Sequence, residues 1–103
     1  MSSEEEALPL AERSFTASTA DGAVFVRVAT AGHVLGVQLE PEAMTRPGHE
    51  IAARIMACAD VAYLHGQVAV RVEWEKAGVA ADCFEAMPTE ADLAAARERL
   101  GKL

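Results

Sequence analysis

The 103-residue sequence predicts an α+β fold: a three-stranded antiparallel meander followed by a long helix and a short C-terminal helix, working as a dimer. Three observations carry the fold class. Apolar residues alternate with period two as far as residue 39, the period lengthens to three and four from Pro47, and turn residues punctuate the segments.

Phe15 to Thr19 reads as a first strand, with Phe15, Ala17 and Thr19 on one face. Asp21-Gly22 follows and predicts a two-residue type I′ hairpin turn, which needs positive φ at both positions. Ala23–Ala29 is the second strand, with β-branched Val24, Val26 and Val28 sharing a face and Arg27 pointing away with Phe25. Ala31-Gly32 makes the second turn. His33–Leu39 is the third strand, with Leu35, Val37 and Leu39 on one face; Glu40-Pro41 ends it, because proline has no amide for a ladder.

Pro47 suits the first turn of a helix, and Ile51, Ile55, Cys58 and Ala62 then recur at helical steps. One continuous helix reaches Lys76-Ala77 and stops at Gly78, a C′ residue. A rival reading breaks it at Gly66, because Val68, Val70, Val72 and Trp74 alternate with polar or small residues as in a strand. Residues 79–88 form a connection. Thr89 with Asp92 three residues on makes a variant capping box for a last helix that closes before Gly101.

Residues 14–103 make a single domain behind an acidic, flexible tail, 1–13, in which Glu4, Glu5, Glu6 and Glu12 outweigh Arg13. The net charge of −7 argues against a surface built for nucleic-acid phosphates. The start of the chain lacks the basic and apolar runs of a signal peptide, and no apolar stretch reaches the roughly 18 residues of a membrane span. Cys58 and Cys83 sit in Ala-rich stretches and read as buried free thiols of a reducing, cytoplasmic environment.

No set of residues has the spacing that chemistry needs. The histidines His33, His49 and His65 lie sixteen apart, which is no metal-ligand spacing, and neither Cys-x-x-Cys nor His-Glu-x-x-His occurs. His33 and His49 read as surface residues. Phosphate-cradling glycine loops and a Gly-x-Ser-x-Gly elbow are absent. Cys58 and His65 share a helix face but lie two turns, about 10 Å, apart, beyond the reach of a nucleophile–base pair. Neither catalysis nor a cofactor is expected.

Two kinds of binding remain. Arg27, Arg46, Arg54 and Arg71 are the candidates for nucleic-acid contact, against a bland alternative of solvated side chains and intrahelical ion pairs such as Glu50–Arg54. A helix of about 28 residues, ~42 Å long, overhangs a sheet about 15 Å across and asks for a second copy. Ile51, Ile55, Cys58, Ala62 and His65 are the expected dimer seam.

Gly22, Val24, Val26, Gly32, Val34, Val37, Leu39 and Pro41, followed by the long helix, resemble the YbaB/EbfC family's G-x-V-x-V-x-x-x-G-x-V-x-x-V-x-[IL]-x-P stretch. The resemblance covers residues 22–65. It implies a homodimer with paired sheets and helices and association with DNA in the nucleoid. Residues 1–13 are too short and acidic to supply the long helix with which that family opens, and 88–103 look additional. Shortened, Ala-rich relatives of this kind occur in actinobacteria, some beside type VII (ESX) secretion genes. The expected function is therefore a homodimeric, nucleoid-associated DNA-binding protein. The alternative is an adaptor or chaperone-like accessory for a protein partner, such as a secretion substrate.

Overall fold

A computed structural model describes residues 8–103. The acidic start of the expected tail, 1–7, lies outside the described residues. The strands are β1 (Ser14–Ser18), β2 (Val24–Ala29) and β3 (Val34–Leu39); the helices are α1 (Gly48–Lys76) and α2 (Glu90–Gly101). The sheet is antiparallel with order β1-β2-β3. The α+β reading holds in both topology and element order.

The core lies between the sheet and α1. Val24, Val26 and Val28 are fully enclosed, and burying each contributes roughly 1.5–3 kcal/mol. Phe15 of β1 stands opposite Val28 and is buried with them. Cys58, Val61, Ala62, Gly66 and Val68 form the buried side of α1. The helix runs unbroken through Gly66, so the strand alternative for 68–74 fails. Gly66 is where the helix meets the sheet most closely: a Cβ there would stand 3.1 Å from the Phe15 ring. The glycine marks an approach, not a break. The helix stops where expected, with Ala77 as C-cap and Gly78 at φ 78°.

The first turn differs from expectation. Gly22 has φ 72°, but among the described residues no non-glycine residue has positive φ, so Asp21 does not take the type I′ conformation. A four-residue loop, 20–23, replaces it, closed by the Thr19 amide donating to the Val24 carbonyl at 3.0 Å. The Asp21 carboxylate organises this wider loop. It accepts from the Thr19 hydroxyl at 2.6 Å and the Ala23 amide at 3.0 Å. The Thr19 hydroxyl, and secondly that amide, hold its carboxyl below the ordinary value.

Leu10 and Arg13, at the end of the expected tail, are tied to the sheet through Thr30. The Thr30 hydroxyl donates to the carbonyls of Leu10 (2.6 Å) and Arg13 (3.1 Å). At the other end, Thr89 and Asp92 form the expected capping box: the Thr89 amide donates to Asp92 at 2.8 Å, and the Asp92 amide to the Thr89 hydroxyl at 3.3 Å. Leu93, Ala96 and Leu100 bury α2 against α1. The long helix therefore finds part of its second surface within its own chain.

Candidate functional site

The arginines sort themselves by what they touch. Arg54 has only 11% of its side chain exposed. Its Nη1 donates to the Glu50 carbonyl (3.1 Å) and its Nη2 to the Leu103 carbonyl (3.0 Å), tying the C-terminus to α1; Nε is buried without a hydrogen-bond partner. The Glu50 carboxylate lies 3.8 Å away, the ion pair the spacing suggested. Arg71 donates from Nη1 to the carbonyls of Phe84 and Met87, both at 2.9 Å, and its guanidinium stacks 5.3 Å from the centre of the Phe84 ring. Arg46 stands between Asp21 (3.7 Å) and Glu50 (3.9 Å). Arg27 alone of the four projects freely, from the sheet's outer face. Three of the four arginines expected at nucleic acid make contacts within the protomer, and Arg46 and Arg54 share the Glu50 carboxylate.

The expected dimer seam is also redistributed. Cys58 and Ala62 are 0% exposed within one protomer, because the sheet covers this side of α1, so they cannot face a second copy. Ile51, Ile55 and His65 are half-buried. The His65 ring meets Phe15 edge-on at 4.9 Å. It lines a cleft of about 290 Å³ between α1, α2 and the turn at Leu10, with Val68, Val72, Glu90 and Arg97. Burial first, then the Arg97 charge, lowers its pKa, while Glu90 acts in the opposite sense.

Cys58 offers little nucleophilic chemistry. Burial pushes its thiol up to about 11, and its Sγ–H points at the Val24 carbonyl 3.9 Å away. Cys83 is exposed, contrary to expectation, because the 79–88 connection buries Phe84 instead. His33 and His49 are exposed. Among the described residues no group of three or more His, Cys, Asp or Glu side chains is placed to hold a metal ion, and no helix is long and apolar enough to cross a membrane.

The feature that stands out is β3. It occupies the sheet edge, and α1 packs over β1 and β2. Val34, Leu35 and Val37 are exposed by 52%, 47% and 45%. A bulge sets Val34 opposite Val28 and Gly36 opposite Arg27. Val34 thus joins Val37 and Leu39 on the helix side, and Leu35 falls in the bulge rather than sharing their face as the alternation suggested. Tyr63 of α1 reaches toward this side: its ring lies 3.1 Å from where a Cβ on Gly32 would stand, and it is exposed. The signal for this surface was a strand apolar on both faces with no charge between His33 and Glu40.

A family model described as "Protein of unknown function (DUF2694)" matches residues 9–102, which is nearly every residue of the chain. No curated protein and no solved structure matches it.

Proposed function

From the premise that the chain belongs to this DUF2694 family of unknown function, we propose that it is a non-catalytic, cytoplasmic homodimer that binds a protein partner as an adaptor or chaperone-like accessory. The observation that carries this reading is the division of the surface. Arg46, Arg54 and Arg71 are engaged inside the protomer, whereas large apolar side chains on β3 and α1 stand in solvent. An acidic chain with three of those four arginines engaged within the protomer has little to offer a phosphate backbone.

The finer kinship belongs to the same proposal: a YbaB/EbfC-like protein of the shortened actinobacterial kind, associated with type VII secretion. The Gly22-to-Pro41 pattern and the order of meander then long helix support it. The nucleoid-associated, DNA-binding function usual for that kinship is the competing reading.

A mobility-shift titration with duplex DNA at low salt separates the two. No shift is expected. A shift that weakens steeply as salt rises would restore the DNA reading, because each phosphate contact releases a counterion. On the protein side, one dominant partner should bind in purified form, and Tyr63→Ala should weaken that binding without changing the fold.

A further inference from the structure

We infer that the cleft between α1, α2 and the turn at Leu10 is a binding site for a small carboxylic acid, a single carboxylate on a short apolar chain. This goes beyond the adaptor reading and depends on neither a protein partner nor a second copy.

Two helix stripes build the cleft. On α1, His65, Val68, Val72 and Lys76 recur at three- and four-residue steps; on α2, Leu93 and Arg97 stand four apart. Val68 and Leu93 are buried and Val72 is 37% exposed, so the floor is apolar while the charges gather at the mouth. At about 290 Å³ the cleft lies at the lower end of the ~300–1,000 Å³ usual for small-molecule sites. It suits one short chain and its head group better than a length of peptide. Enclosing such a chain supplies the attraction.

The charges select the head group. Lys76 and Arg97 reach the mouth from different helices, and neither shares an ion pair with another described residue, unlike Arg46, Arg54 and Arg71. Arg13 adds a third cation, steadied by its Nε donating to the Leu8 carbonyl at 2.9 Å. Against these three stand two lining carboxylates, Glu73 and Glu90. In a chain of net charge −7 this cleft carries a local surplus of one positive charge, which attracts an anion. The surplus matches a carboxylate; a doubly charged phosphate would face Glu73 and Glu90. A carboxylate also meets a guanidinium such as that of Arg97 through two parallel hydrogen bonds. His65 registers the same field. After burial, the charge that acts most on its imidazole is that of Arg97, ahead of Glu90. The ring is therefore neutral at pH 7 and can donate one N–H to the bound carboxylate.

Titration of the full chain, labelled with nitrogen-15, with octanoate below its micellar concentration tests the site by nuclear magnetic resonance. Amide shifts should saturate and centre on residues 65–76 and 90–97. The alcohol 1-octanol and the cation octylammonium should each bind roughly tenfold more weakly, because they lose the charge-assisted bonds to Lys76 and Arg97. Lys76→Gln and Arg97→Gln alter exposed side chains. Each should weaken octanoate roughly fivefold with the circular dichroism unchanged. The pKa of His65 should rise on saturation, since a carboxylate beside it favours the imidazolium. Octanol or octylammonium binding as well as octanoate, or both variants binding it unchanged, would overturn the site and leave the adaptor reading standing. Tighter binding of acetyl-Ala-Ala-Leu with a free terminal carboxylate than of octanoate would overturn the small-acid assignment.

Discussion

Gly66 shows how one residue carries two opposite messages. In a sequence, a glycine inside an apolar run suggests a break; in the structure its missing side chain lets Phe15 touch the helix. Gly66→Leu should cost about 2 kcal/mol through overpacking, even though leucine is the better helix former. Chemical denaturation would measure the loss. The cysteines give a second test. With Cys58 held protonated by burial and Cys83 exposed, a thiol reagent should modify one cysteine per native chain and the second only in denaturant. His65 gives a third. Its pKa is lowered on folding from an ordinary 6.5, so the unfolded chain binds the proton more readily, and stability should fall as pH drops below about 6.5. His65→Gln should flatten that part of a melting-temperature profile. At this scale the enclosed Cys58 and the exposed His33 and His49 were legible from their neighbours. The exposure of Cys83 was not, because it depends on how the 79–88 connection lies across α1.

At the scale of elements, local signals were sufficient where local physics decides. Pro47, Gly78 and the Thr89/Asp92 box bound the helices because caps and stops act over one turn. Thr89→Ala should cost about 1 kcal/mol by opening the box, as urea denaturation would show. Where an element's shape depends on a neighbour, the sequence was less informative. The Asp21 carboxylate's bonds to Thr19 and Ala23 widened a loop that Asp-Gly alone predicts to be tight, and the bulge in β3 moved Leu35 out of line. Spacing indicates the Arg71–Glu75 ion pair, 3.3 Å and four residues on, but not the two carbonyls Arg71 also holds, 13 and 16 residues away. Arg71→Ala should loosen the 79–88 connection and cost about 1–3 kcal/mol, with faster amide exchange confined at first to that segment.

Taken whole, the molecule is elongated, 49 × 28 × 19 Å, because a 29-residue helix lies on strands of five or six residues. The overhang itself was legible from counting turns against strands. Its resolution was not: α2 folds back and covers one side of α1, while the flank beyond β2 stays open above β3. Of the expected seam, Cys58 and Ala62 are enclosed by the sheet, which leaves Ile51, Ile55 and His65 with surface for a second copy. An interface made of apolar side chains is little screened by salt, unlike one made of surface charges. Sedimentation equilibrium at micromolar concentration, at low and at high salt, is the most direct test. A mass of twice the 10.9 kDa chain at both salt concentrations is the predicted result, and a 10.9 kDa monomer would contradict the account.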